Sequence, residues 1–346
     1  MPASPIRLNN RTLRLSKCAR DPDLSMRTVL VEDQWDYVEM WLKRNNKSNA
    51  LFFWKQAEDF ANASRGMPNT SSPLTRYYSA MNAAKALLSA KGIGFSPYHG
   101  LTGKNRSGNA TLADEEVTLV ANNSIAPQLC RYMGEVVTKM TYPLQDILYN
   151  LPYIHRAFTI TVPSKLELFL PISSPSFVRI EGDTDSYFSC TVPDKYFQSP
   201  SMIAQLPGYE HDTGITDDFV VRRKKRFTWD DALSEEVNVA AFIDYYRCIR
   251  KTTFYIKGSS RLWYLKMNVR AAGLISRSSL SLTLMGLHKL SELARYTPDL
   301  LARHLDSQHN WLLSEFINLS LSQFIDEVAA ELTGHEFMPP GYSARS

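Results

Sequence analysis

Arg303 and His309 stand with five residues between them in the stretch R-H-L-D-S-Q-H. Such a pair could work on a phosphodiester. A histidine exchanges a proton near neutral pH, and an arginine fork stabilises the charge that builds on a phosphate. The bland alternative is two polar residues at the start of a helix, with Asp306 or Ser307 as its cap. A second constellation is the stripe Arg76, Ser79, Asn82 and Lys85, with His99 in the loop that follows. Arg76 as a fork and Lys85 as a point charge suit a pocket for a phosphate or a base. The same residues also suit backbone bonding inside a helical bundle, with Tyr77 and Tyr78 in the core or at an interface.

The third constellation is electrostatic. From Tyr245 to Ser291 there is no Asp or Glu, while Arg247, Arg250, Lys251, Lys257, Arg261, Lys266, Arg270, Arg277 and Lys289 fall in that span. Tyr245, Tyr246, Phe254, Tyr255, Trp263 and Tyr264 are interleaved with them. Upstream lies the run Arg222, Arg223, Lys224, Lys225, Arg226 between Asp217–Asp218 and Asp230–Asp231. Cations and aromatics in alternation suit phosphate contact with base stacking, in RNA or DNA. A solvated face or an acidic protein partner fits the same charges.

The elements that must hold these residues are legible from periodicity. Leu74, Tyr77, Met81, Ala84 and Leu88 recur at steps of three and four, which predicts a helix from Ser71 or Ser72 to the glycines at 92 and 94. Shorter helices are predicted over Asp33–Lys43, from Ser48 to Phe60, over Ile125–Lys139 and over Pro143–Tyr153. Then the period changes. Ala157–Val162, Leu166–Leu170, Ser176–Ile180, Tyr187–Val192, Phe219–Phe227, Thr253–Lys257 and Leu262–Val269 read as strands. A helix at Val237–Arg250 lies among them. Ser278–Arg295 and Ser307–Leu332 return to helical period. Residues 1–30 lack a clear period and read as an extended arm.

At 346 residues, with 44% hydrophobic and 21% charged residues, the chain can bury a sizeable core. A net charge of +4 is too small to argue for nucleic acid by itself. Cys18, Cys130, Cys190 and Cys248 are scattered, which speaks against a zinc site or a disulfide framework and fits the cytoplasm. No signal peptide and no apolar run of spanning length is present, so no membrane association is expected. There is no P-loop, dinucleotide fingerprint, H-E-x-x-H or G-x-S-x-G, and no cofactor or metal is expected. The acid pairs Glu115–Glu116 and Glu235–Glu236 have no evident metal partners.

Arg76, Tyr77, Tyr78, Ala86, Leu87, Leu88, His99 and Gly100 together resemble the HEPN group of helical domains. Pro73, Leu74, Ser79, Asn82, Ala84, Lys85 and Leu101 bring the block closer to the YaaC-like family of bacterial proteins. Leu282–Pro298 with Trp311 and Phe316 resembles that family's C-terminal signature. Many HEPN domains cleave RNA, without a metal, through an Arg and a His four to six residues apart. The resemblance therefore implies catalytic roles for Arg303 and His309, although His304 stands where that family has Asn or Asp. It also implies a homodimer and a part in bacterial stress or antiviral defence.

These readings converge on a mostly helical α+β chain. Residues 31–155 and 273–346 would form a HEPN-like helical unit, residues 156–272 a β-rich insertion, and residues 1–30 an arm. Two functions stay open: a nucleic-acid-directed protein acting as a HEPN-type ribonuclease, or a non-catalytic docking module in a bacterial defence complex.

Overall fold

A computed structural model describes residues 3–193, 201–213, 219–269 and 271–340. The strands are β1 (Ala3–Pro5), β2 (Arg7–Leu8), β3 (Arg11–Thr12), β4 (Val29–Leu30), β5 (Leu101–Asn105), β6 (Glu115–Leu119), β7 (Met140–Pro143), β8 (Phe169–Ile180), β9 (Asp185–Thr191), β10 (Tyr209–His211), β11 (Val220–Arg223), β12 (Phe227–Thr228), β13 (Thr253–Ile256), β14 (Leu262–Lys266) and β15 (Phe337–Met338). The helices are α1 (Gln34–Arg44), α2 (Ser48–Ala63), α3 (Ser72–Ala90), α4 (Ile125–Tyr132), α5 (Leu144–Tyr149), α6 (His155–Thr161), α7 (Ser201–Ala204), α8 (Glu235–Arg250), α9 (Ser279–Tyr296), α10 (Pro298–Leu305) and α11 (Asn310–Thr333). The protein is α+β.

The chain divides into two compact units. One comprises Val31–Leu166 and Ala271–Thr333; the other comprises Met1–Leu30, Glu167–Arg270 and Gly334–Ser346.

The first unit is a helical bundle around α3. Ala80, Ala83, Ala84 and Ala86 are fully buried, and such short side chains let α2, α9 and α11 approach closely. Ser79, on the polar stripe, is also fully buried and donates to the Ala57 carbonyl of α2 at 2.6 Å. Trp35 and Trp54 pack with ring centroids 4.4 Å apart and tie α1 to α2. Strands β5, β6 and β7 form an antiparallel three-stranded sheet whose hairpin packs on α9.

The second unit is built on an eight-stranded sheet in the order β10-β11-β9-β8-β14-β13, with β1 added to β8 and β12 to β9. Helix α8 lays an aromatic face on it. Phe242 lies 4.8 Å from Phe177, Tyr245 stacks on Phe227 at 4.5 Å, and the Tyr245 hydroxyl accepts from the Phe188 amide at 2.9 Å. A parallel pair, β4 with β15, joins the earliest and latest segments of this unit.

Several expected elements differ. Ala157–Thr161 belongs to helix α6, with Val162 as its C-cap; Ala157 and Phe158 are buried while Ile160 is exposed, so burial does not follow the strand-like alternation. The segment expected as one helix over Ile125–Lys139 stops at Tyr132, and Gly134 then takes a φ of +74°. Of Leu166–Leu170 only Phe169 and Leu170 are in a strand, and they share one long strand, β8, with Ser176–Ile180, broken in register between Ser173 and Ser176. Residues 1–30 contribute four short strands, two of which pair with distant parts of the chain. Arg303 sits on its own helix, α10, because Pro298 opens a new helix before α11.

Candidate functional site

The helical unit brings one polar cluster together around Tyr77. Helix α3 supplies Tyr77, Tyr78 and Lys85, the loop after it supplies His99, and α9 supplies His288, Glu292 and Arg295. On α9 the offsets of four and three residues set His288, Glu292 and Arg295 on one face. His99 is fixed by its neighbours: its carbonyl accepts from the Ala126 amide at 3.1 Å. Gly100 follows with a φ of +74°, and a Cβ there would lie 2.4 Å from Pro127 Cδ, so only glycine lets the loop close on α4.

Tyr77 is buried, and its hydroxyl lies 2.5 Å from His99 Nδ1. The two rings stack, with centroids 5.5 Å apart, and His288 meets Tyr77 edge-on at 5.2 Å. Burial, with Tyr78 and Glu292 adding to it, pushes the Tyr77 phenol far above its usual range, so the hydroxyl keeps its proton. Among the described residues it has no other acceptor than His99, and we therefore assign the donor role to Tyr77. Burial, then the positive charges of Arg295 and Lys85, depress His99. A neutral His99 that accepts at Nδ1 carries its proton on Nε2, the nitrogen that Tyr77 leaves free.

His288 is pushed down to about 3 by burial and by His99, Lys289 and Arg295. Its Nδ1 has no hydrogen-bond partner among the described residues and lies 3.9 Å from Glu292 Oε2. Glu292 Oε1 accepts from the Gly103 amide at 3.2 Å. Burial raises the Glu292 carboxyl, against the pull of Lys289, Gly103 and Arg295. Arg295 donates to the Tyr78 hydroxyl at 2.9 Å and packs against Tyr296. Aromatic rings continue from these cations: Lys85 stands 5.3 Å over the Phe53 ring, Phe53 lies 6.2 Å from Phe95, and Phe60 stacks on Tyr78 at 5.4 Å. The arrangement offers a neutral N–H donor and two cations beside flat apolar faces.

A second cluster is fully internal. Glu115 on β6 has no exposed surface and sits 3.0 Å from His304 Nε2, 2.9 Å from Lys289 Nζ and 2.6 Å from Asn105 Nδ2. His304 is therefore no idle neighbour of Arg303. It is the buried partner of an acid for which sequence reading found no partner.

The other expected site residues are placed as follows. Arg303 is exposed and faces Asp299 at 3.7 Å. His309 is half-buried ahead of α11, with Nδ1 buried and unbonded. No hydrogen bond or ion pair among the described residues joins Arg303 and His309 to each other or to His99. Arg76 reaches the Asn318 carbonyl of α11 at 3.5 Å, and burial lowers its pKa.

In the sheet unit, Arg222 is held by Glu210 at 2.8 Å and Asp212 at 3.5 Å. Arg223 donates to the Pro207 carbonyl and lies over Tyr209, while Arg226 stacks on Tyr187 at 4.1 Å. Only Lys224 and Lys225 of that run are exposed. Arg247 pairs with Asp21 and Asp244, and Arg250 donates to Thr253 and Lys17 carbonyls over the Trp263 ring. Lys251 is exposed. Tyr245, Tyr246, Phe254, Tyr255 and Trp263 are buried. These five aromatics are core, because strand and helix periodicity turns them inward, and Arg277 and Lys289 of the same span are buried as well. Arg270, Asp217 and Asp218 lie outside the described residues.

With that geometry in hand, comparison with known proteins narrows the identity. A family model described as YaaC-like protein matches residues 22–332. The chain belongs to the YaaC-like family. The match spans segments of both compact units. No curated protein and no solved structure matches the YaaC-like chain. No helix among its described residues is long and apolar enough to cross a membrane.

Sequence reading picked out His99, Lys85 and Arg76 but missed His288, Glu292 and Arg295. The spacing His288, Glu292, Arg295 was a usable signal. It was hidden inside a block, Leu282–Pro298, read only for its resemblance.

Proposed function

We propose that this YaaC-like protein is directed to nucleic acid and grips the phosphate of a single strand at His99. The observation that carries this reading is the Tyr77–His99 pair with Lys85 and Arg295 bearing on it. A neutral Nε2–H and two cations are complementary to a phosphodiester anion. Phe53, Phe95, Phe60 and Tyr78 beside them are complementary to bases, whose faces stack on aromatic rings at about 1–3 kcal/mol each. The exposed Lys224, Lys225 and Lys251 would add diffuse attraction rather than a built site.

The test is titration of a fluorescent single-stranded oligonucleotide over a range of salt. Binding should weaken as salt rises, and Lys85→Ala or Arg295→Ala should each lower the log–log slope by roughly 0.7. Absence of binding at low salt would move the weight to a non-catalytic docking module that holds an acidic protein segment.

A second reading adds strand cleavage of HEPN type, in bacterial stress or antiviral defence. It is favoured by His309, whose buried Nδ1 is unbonded among the described residues and which follows Arg303 with five residues between them. His309→Ala should then remove a proton-transfer contribution of about 10²–10⁴-fold in rate. Cleavage equal to wild type would eliminate that site.

A further inference from the structure

Glu292 is an acid placed among groups that would attract an anion. A second anion beside a bound phosphate is unfavourable unless the carboxyl has a task that only a carboxyl can perform. Its setting is specific. Oε1 is occupied by the Gly103 amide at 3.2 Å, while Oε2 makes no hydrogen bond among the described residues and faces His288 Nδ1 at 3.9 Å. The side chain keeps 24% of its surface exposed, so a ligand can reach it. Its position depends on Gly103 lacking a side chain, because a Cβ there would come 1.6 Å from Oε2. His288, whose Nδ1 faces this oxygen, meets the His99 ring edge-on with centroids 5.8 Å apart and the Tyr77 ring at 5.2 Å. The free carboxyl oxygen therefore belongs to the His99 cluster.

A carboxylate oxygen accepts hydrogen bonds and repels other acceptors. The phosphate and ring-ether oxygens of a strand's backbone are acceptors only and offer it nothing, and the donors on the bases are common to RNA and DNA. A ribose 2′-hydroxyl, next to each phosphate in RNA and absent from DNA, offers a donor. We propose that Glu292 Oε2 accepts a hydrogen bond from a ribose 2′-hydroxyl, making the His99 site selective for RNA over DNA of the same sequence. This rests on the phosphate reading of the same site and adds the choice of sugar to it.

The experiment compares three single strands of one sequence on the full chain: RNA, DNA and RNA methylated at every 2′-oxygen. Wild type should bind RNA more tightly than DNA by on the order of 10- to 100-fold, the range of a hydrogen bond to a charged group. The methylated strand, which lacks the donor, should fall to the DNA level. Glu292→Ala and Gly103→Ala should each lower RNA affinity to that of DNA while leaving DNA affinity unchanged or improved, which also reports that the variants are folded. Glu292→Gln, which keeps an acceptor oxygen, should retain part of the preference. Equal binding of RNA and DNA by wild type, tight binding of the methylated strand, or a preference that survives Glu292→Ala would each overturn the role of Glu292 and leave the phosphate site standing. Failure to bind any of the three strands would overturn the phosphate reading, and this inference with it.

Discussion

Tyr77 decides how His99 behaves. A hydroxyl donating to Nδ1 stabilises the neutral ring, so Tyr77→Phe removes a contribution that favours neutrality. The His99 pKa should therefore move upward, toward the ordinary histidine range, in an NMR titration of the ring protons. A lower value would show that Tyr77 accepts rather than donates, and an unchanged one that the bond does not set the protonation of His99. His288, pushed down to about 3, should show no titration across the neutral range in the same spectra. Single residues also explain why the site was half legible. His99 and Lys85 stood out because a polar residue near a glycine turn or on a small-residue helix is visible in one dimension. Glu115 and Lys289 did not, because a buried acid and a buried base declare themselves only when the fold sets them 2.9 Å apart.

At the level of elements, the hairpin β5–β6 positions α9 through charge. Glu115 is depressed despite its burial, because His304, Lys289 and Asn105 bond the charged form. A carboxyl whose folded pKa lies below its unfolded value contributes stability above about pH 4.5, and that contribution is lost as pH falls through the folded value. Glu115→Gln should flatten the acid side of the stability-against-pH curve, measured by chemical denaturation. Glu115→Ala should cost about 3–5 kcal/mol, since it leaves Lys289 buried without its acid. Gly100→Ala should displace the His99 loop from α4 and weaken nucleic-acid binding with little loss of α3. The helices α3, α8 and α9 were readable because their apolar residues keep a 3.6 period over sixteen or more residues. Helix α6 was not, since seven residues are too few to tell period 2 from period 3.6 when Phe158, Ile160 and Val162 alternate. The basic run at 222–226 was legible as charge and, over Arg222 and Arg223, as strand, but the partners of its arginines were not. Glu210 and Pro207, which hold its arginines, come from another strand and its preceding turn.

For the whole molecule, the small-residue surface of α3 is consumed inside the bundle by α2, α9 and α11. A symmetric dimer would have to form on other faces. Exposed apolar residues at Phe52, Trp311 and Leu319 are the material available on α2 and α11. If the chain pairs, light scattering at micromolar concentration should give about twice 39.4 kDa, and charge at Trp311 or Leu319 should halve it. A mass that stays at one chain across concentrations would remove the dimer.

The parallel pairing of β4 with β15 sets a timetable for synthesis. Val29 and Leu30 leave the ribosome about 300 residues before Phe337 and Met338, their partners. At roughly 5–20 residues per second, the early strand waits some tens of seconds for its mate. The Lys17 ammonium waits equally for the Phe337 carbonyl that it meets at 2.6 Å. Over the same interval the helical unit receives its last helix, which ends at Thr333. The bundle can therefore close while the sheet unit still presents an open edge to solvent or to a chaperone. Folding yield in a cell should depend on how that edge is shielded until the last strand arrives.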